Sequence, residues 1–239
     1  MLGSALKVAV AAPGRSVATA AAAAKSAGAR LLVLNRLPEA AAEPSDGAGA
    51  HAMGELAEAH RIAILFAYAE ACSGRTHLAL QLTQADGRAT ANYRATHLGP
   101  AAQAMGWAPG NWLTLARLEP VTLGLLGGLD HLAPEVGRAL SSLGAETLIA
   151  VTDAALEADF PAAAGLYGAC ARLRAIENGV PVCLVGPDGT THAAAADGMA
   201  LAVEAADGLA LVTLGGGQPV APVPRRPDLY HRLVEGVAG

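Results

Sequence analysis

Aromatic side chains are scarce in this chain: two Phe, two Trp and four Tyr among 239 residues, 3% of the total. Hydrophobic residues nevertheless make up 53%, so the apolar content is carried by Ala, Val and Leu, and the core is expected to be built from small pieces. Lysine is confined to Lys7 and Lys25, and the largest basic cluster is the pair Arg225-Arg226. With a net charge of -5, this argues against a nucleic-acid partner, because phosphate binding needs several cations on one face. No stretch reaches the roughly 18 uncharged apolar residues of a membrane span, so no membrane association is expected. The apolar run from Val17 to Ala24 is bracketed by Arg15 and Lys25 and reads as a first amphipathic helix, not the core of a signal peptide. Cys72, Cys170 and Cys183 are an odd set without metal-ligand spacing. They are expected to be free buried thiols in a reducing, cytoplasmic compartment. The histidines are scattered singly, with no i,i+4 pair on a helix, so neither a metal nor another cofactor is expected.

What is present is an alternation of strand-like and helix-like segments. Leu6 to Ala11 reads as a buried strand, Val17 to Ala27 as a helix and Leu31 to Leu34 as a second strand. Pro44 to Gly49 has loop composition, Gly54 to His60 reads as a helix, and Ile62 to Ala67 as a strand. His77 to Thr83 and Arg88 to Tyr93 form a hairpin around Gln84-Ala85-Asp86-Gly87, where Asp-Gly supplies the tight turn. The apolar strand Val121 to Leu126 runs into Gly127-Gly128, and Pro134, tolerated in a first turn, opens a helix to Leu143. Thr147 to Val151, the long helix Pro161 to Asn178, and strands at Val180 to Val185, Thr191 to Ala196, Ala200 to Ala205 and Leu209 to Leu214 complete the pattern. No linker interrupts it, so residues 1–239 are expected to form a single domain with a tail at about 222–239. Glu135 with Arg138, and Arg174 with Glu177, are spaced to pair along helix faces. Trp107, Trp112 and Tyr230 are expected to act as packing anchors.

Two segments carry chemical information. Tyr93-Arg94-Ala95-Thr96-His97-Leu98 is followed downstream by Leu125-Leu126-Gly127-Gly128-Leu129-Asp130 and then Pro134-Glu135. Together with Asp86-Gly87, Pro109-Gly110, Arg138, Arg174-Ala175-Ile176-Glu177-Asn178 and Arg225-Arg226-Pro227-Asp228-Leu229-Tyr230, they resemble the nitrilase superfamily, also called the carbon-nitrogen hydrolases, in its amidase-like branch. The resemblance covers nearly the whole chain and implies an α/β fold, a four-layer α-β-β-α sandwich whose subunits pair through their helical layers. It also implies a mechanism in which a Cys thiolate attacks an amide or nitrile carbon, a Glu acts as general base and a Lys stabilises the tetrahedral intermediate.

At the positions that this resemblance assigns to the nucleophile and its cation, other residues are expected to stand. The Lys position holds Ala95 and the Cys position Gly128, and neither Lys7 nor Lys25 is placed to substitute. The second Glu of the family falls at Gln103 or Ala102. Directly after the second strand the general-base position holds Arg36, and only a shift brings Pro38-Glu39 onto it. The segment between Cys183 and Pro187 is also short for the family, which would remove part of one pocket wall. The leading expectation is therefore a catalytically inactive homodimer acting as a binding or partner subunit. Two alternatives stand beside it: a hydrolase of small amides or nitriles working by a different mechanism, with Glu39 activating water, and a sensor of small anions or other small ligands. In the sensor reading Arg36 and the N–H groups near Gly128 hold the anion, against the plainer view of Gly127-Gly128 as a former nucleophile turn kept tight.

Overall fold

A computed structural model describes residues 5–35, 41–152, 159–160, 162–215, 224 and 226–230. Arg36, Glu39 and most of the expected tail lie outside them. The first sheet has seven strands, in the order β11-β12-β1-β2-β3-β4-β5: β1 Leu6–Ala11, β2 Leu31–Leu34, β3 Ala63–Cys72, β4 Arg75–Thr83, β5 Ala89–Arg94, β11 Glu204–Ala206 and β12 Leu209–Leu214. The second has five, in the order β10-β9-β8-β7-β6: β6 Leu115–Leu118, β7 Val121–Gly127, β8 Thr147–Val151, β9 Val182–Val185 and β10 Thr191–Ala194. Within them β1-β2-β3 and β7-β8-β9 are parallel runs, and the remaining pairings are antiparallel.

The layers follow from which side chains each strand sends to each face. Leu31 and Val33 of β2 join Leu65, Leu80, Leu123, Ile149 and Val185 between the sheets. Leu32 and Leu34 turn the other way, toward helices α1 (Val17–Ser26) and α2 (Ala48–His60), against Ala20, Ala24 and Ala57. Burial on both faces is why these parallel strands read as continuous apolar runs. On the far side, α4 (Pro134–Ser142) and α5 (Ala163–Asn178) cover the second sheet through Val136, Leu140, Ala171 and Ala175. The result is the expected four-layer α-β-β-α sandwich. Its small-residue character also holds, because Tyr93 and Phe66 are the largest of the fully buried side chains and almost everything else is aliphatic. Two short helices, α3 (Pro100–Ala104) and α6 (Pro227–Tyr230), lie outside the layers.

Several boundaries differ from the sequence expectation. Helix α2 begins at Ala48, not Gly54, because Gly49 and Gly54 both have tertiary partners. The Glu43 carboxylate accepts the Gly49 N–H at 2.8 Å, capping the helix from outside it. At Gly54 a Cβ would stand 2.8 Å from the Gly87 carbonyl oxygen, so glycine lets α2 cross the β4–β5 turn. Strand β3 continues to Cys72 with the antiparallel partner β4, and the run expected at Ala200 to Ala205 is no continuous strand: Ala200 forms an isolated bridge with Ala194, and β11 begins only at Glu204. Trp112 is 78% exposed and Tyr230 40% exposed, so neither is a packing anchor within the chain; Trp107 is half-buried. Arg174 and Glu177 do pair, whereas among the described residues no ion pair joins Glu135 to Arg138.

Candidate functional site

The site lies where parallel strands of both sheets end at their carboxyl termini, the usual place for ligands in open α/β sheets. Strand β7 runs into Gly127 and Gly128, and the chain then turns through a short 3-10 helix, Asp130–Leu132. Opposite it, the segment after β5 carries Ala95, Thr96 and His97. Asp130 ties the two together. Fully buried, its Oδ2 accepts the Tyr93 hydroxyl at 2.5 Å and the Gly127 N–H at 2.9 Å. Its Oδ1 accepts the Thr96 hydroxyl at 2.7 Å, the Thr96 N–H at 3.2 Å, and the His97 N–H and Nδ1, each at 2.9 Å. Every partner is a donor, the arrangement that suits an ionised carboxylate. The hydrogen bond to Asp130 raises the pKa of the half-exposed His97 imidazole. Burial, and then the adjacent Asp130 charge, push that of the Tyr93 phenol well above its ordinary value.

Ala95 and Gly128 face each other inside this frame. Ala95 is 1% exposed, and a Cβ built on Gly128 would stand 3.6 Å from the Ala95 Cβ, 3.3 Å from the His97 carbonyl oxygen and 3.4 Å from Leu78 Cδ2. Gly128 has φ of +53°, in the left-handed region that side chains resist. The fold thus brings two of the candidate positions into contact, and the groups it places there are a methyl and a hydrogen.

The other candidates fare differently. Gln103 is exposed on α3 and donates its side-chain amide to the Leu98 carbonyl at 3.0 Å, while Ala102 is buried. Arg36 and Glu39 lie outside the described residues. The N–H groups proposed as an anion cradle are occupied: Gly127 gives its proton to Asp130, Gly128 to the Val151 carbonyl at 3.2 Å and Leu129 to the His97 carbonyl at 3.2 Å. With a carboxylate beneath it, this turn is tightly closed and offers no amide at residues 127–129 to an anion. Cys183 is fully buried, and burial pushes its thiol up to about 12; burial also raises Cys170. Neither is an activated nucleophile. Cys72 is half-buried, not buried as expected. Among the described residues no group of three His, Cys, Asp or Glu side chains is placed to hold a metal ion, and no helix is long and apolar enough to cross a membrane.

Two residues escaped the sequence reading. Asn35, buried directly after β2, donates to the carbonyls of Thr152 at 2.9 Å and Gly186 at 2.5 Å, fastening the first sheet to the ends of β8 and β9. A polar residue closing a four-residue apolar strand was its signal. His131 is 2% exposed beneath the turn, with Nδ1 3.0 Å from the Gly128 carbonyl. Nothing in its neighbours marked it, since a histidine beside an Asp reads as surface.

The profile of the carbon-nitrogen hydrolase family matches residues 15–209. The chain belongs to the carbon-nitrogen hydrolase family. As a carbon-nitrogen hydrolase it is 36% identical over 141 residues to a hydrolase in the pqqF 5' region of Pseudomonas protegens, covering 58% of this chain and 48% of that protein. It is 33% identical over 108 residues to an (R)-stereoselective amidase of Pseudomonas sp, covering 45% of this chain and 39% of that protein. The match thus spans about half or less of these curated relatives. A variant of the nitrilase-superfamily amidase of Nesterenkonia AN1 superposes with a TM-score of 0.75 at 19% identity, covering 96% of this chain and 97% of the other. The same amidase in complex with butyramide superposes with a TM-score of 0.70 at 19% identity, covering 90% and 91%. These likenesses place the fold of this carbon-nitrogen hydrolase among the nitrilase-superfamily amidases.

Proposed function

We propose that this carbon-nitrogen hydrolase carries out none of the covalent chemistry of its family and serves as a binding or partner subunit. The observation that carries the reading is the contact of Ala95 with Gly128, 3.6 Å from methyl to the place where a Gly128 Cβ would stand. In the resemblance drawn from the motifs, these positions belong to the lysine and the cysteine. A mutant of the Nesterenkonia amidase shows covalent addition of the acetamide moiety of fluoroacetamide at its active-site cysteine. Here the facing groups are a methyl and a hydrogen, which supply neither an attacking electron pair nor a positive partner for an oxyanion. Such residues act as a unit, so losing both removes the whole rate enhancement they supply together.

What has been kept is the framework. Tyr93, Thr96, His97 and Asp130 hold the two segments in register without touching a reacting atom. The outer helical layer also exposes Leu166, Leu173 and Ile176 on α5 and Leu143 after α4, apolar surface suited to pairing with a second copy or another protein. The test is ammonia release from butyramide and acrylamide by purified protein. None is expected above buffer, and saturable turnover that persists through successive columns would overturn the reading. Sedimentation should find a dimer that dissociates when Leu173 is replaced by Glu.

A further inference from the structure

At the amino ends of the parallel strands, opposite the ends that carry Ala95 and Gly128, a cleft of about 580 Å³ opens between the two sheets. Lys25, Arg30 and Arg61 line it where α1 gives way to β2 and α2 to β3. The turn between β4 and β5 adds Arg88, and β6 adds Arg117. The walls are tied across the sheets, since Gln84 donates to the Arg117 carbonyl at 2.7 Å and the Arg30 guanidinium to the Glu119 carbonyl. Five of the 16 Lys and Arg residues in a chain of net charge -5 therefore share one cleft, although no two of them are adjacent in sequence. All five are exposed.

Only two carboxylates line the cleft, and both are already neutralised: Asp86 pairs with Arg88 at 2.8 Å and Glu119 with Arg117 at 2.5 Å. Glu58 and Glu146 are not among its walls. That leaves Lys25, Arg30 and Arg61, none of which is ion-paired among the described residues. Lys25 gives a proton to the Arg61 carbonyl at 2.8 Å, the ordinary work of a cation at a helix C-terminus. The same account does not reach Arg30, which precedes a strand and keeps most of its five N–H donors free of protein partners. Arg61 follows α2 with φ of +50°, a left-handed position that glycine would hold with less strain. We propose that this cleft binds a small soluble oxyanion carrying three or more negative charges, a polyphosphate or a polycarboxylate, gripped by Arg30 and Arg61 with Lys25 beside them. Guanidinium forks match the paired oxygens of phosphoryl and carboxylate groups, and the volume is that of a small-molecule site. The site uses no residue of the Ala95–Gly128 position and is scored by binding, so it stands or falls independently of the catalytic reading.

The experiment is calorimetric titration of the intact protein with pyrophosphate and with citrate, in wild type, in the double variant Arg30→Gln/Arg61→Gln and in Arg75→Gln, an exposed arginine outside the cleft. Wild type should bind at least one of them at a single saturable site, and the tighter of the two names the phosphoryl or the carboxylate chemistry. The double variant should lose about ten-fold in affinity, the size of two exposed charge pairs, and Arg75→Gln less than about two-fold. In parallel, the amide resonances of Arg30, Arg61 and Ala85 in the wild-type protein should move on titration while those of Thr96, His97 and Gly127 stay fixed, a readout that does not depend on a variant folding. Failure of both anions to saturate, a double variant that binds as tightly as Arg75→Gln, or resonance shifts at Thr96, His97 and Gly127 in place of the cleft would overturn the proposal.

Discussion

Replacing Asp130 by Asn tests whether the retained motif residues work as a framework. The amide is nearly the same shape, so packing is preserved and only the hydrogen bonding changes. Its carbonyl oxygen can take the place of Oδ1, where Thr96 and His97 converge. Its NH2 must then take the place of Oδ2 and confront the Gly127 N–H, which is left unsatisfied, while the Tyr93 hydroxyl has to rotate to accept. An orphaned buried N–H costs about 1–3 kcal/mol, and the surviving bonds fall from charge-assisted to neutral strength, each losing roughly half its value. Against this, the variant no longer buries a charge, which offsets part of the loss. We expect a net destabilisation of about 3 kcal/mol, equivalent to a fall in Tm of roughly 6–12 °C for a domain of this size. Urea denaturation followed by circular dichroism measures it, with the exposed neighbour Glu135→Gln as a control expected to stay within about 0.5 kcal/mol of wild type. If Asp130→Asn unfolds within about 1 kcal/mol of wild type, the account of Asp130 as the residue that joins the two segments is wrong.

Gly128→Ala should destabilise by about 1–2 kcal/mol, because φ is +53° and the new methyl would stand 3.3 Å from the His97 carbonyl oxygen; equal stability in urea would show that the turn relaxes freely. Arg94→Ala strips the bidentate partner from Glu70, whose side chain is 2% exposed; burial alone would raise the Glu70 carboxyl, but Arg94 and Asn92 hold it low. A loss of about 3 kcal/mol is expected by urea denaturation, and a loss under 1 kcal/mol would mean the pair contributes little. His131, depressed from 6.5 to about 4 by burial, contributes stability that is complete above its unfolded pKa and lost as pH falls from 6.5 toward 4. This is worth about 3 kcal/mol at 1.36 kcal/mol per pKa unit, and His131→Leu should flatten that acid limb of the stability profile. His97 acts oppositely, its raised pKa giving stability that is lost as pH rises through that value, but its half-exposed ring limits the effect to under about 1 kcal/mol, measurable as a shallower alkaline limb in His97→Gln.

The sandwich was legible because its strands are apolar on both faces and its turns carry Asp-Gly and Gly-Gly pairs; β1, β2, β8 and β12 begin and end where the residues say they should. The hairpin at Asp86-Gly87 was equally plain, since Gly87 has φ of +81°. Helix α2 extends further than its residues suggest because Pro44 to Gly49 has loop composition, and only tertiary contacts explain its glycines: a carboxylate six residues upstream of Gly49, and the crossing backbone of Gly87 beside Gly54. Strand β6 was missed because Leu115-Ala116-Arg117-Leu118 is too short to show a period and becomes a strand by pairing with β7. In the site, local motifs identified Ala95 and Gly128, and the structure brings them together. Asn35 and His131 stayed hidden because Asn35 acts on carbonyls 117 and 151 residues away and His131 acts through its burial beneath the turn at Gly128. The aromatic residues misled in the opposite direction, since scarcity suggested anchoring and Trp112 stands in solvent.

Tyr93 belongs to two assemblies at once, its ring in the aliphatic layer between the sheets and its hydroxyl on Asp130. The inter-sheet layer therefore cannot loosen locally without freeing the phenol, nor can the segment at Thr96 and His97 fray without disturbing the packing of Leu80 and Leu82 nearby in the same layer. In amide hydrogen exchange the N–H groups of Thr96, His97 and Gly127 should accordingly open together with the central strands, as one cooperative unit close to the global unfolding free energy. A surface segment of this kind would ordinarily exchange in a far shallower opening, and here a single buried ring removes that freedom.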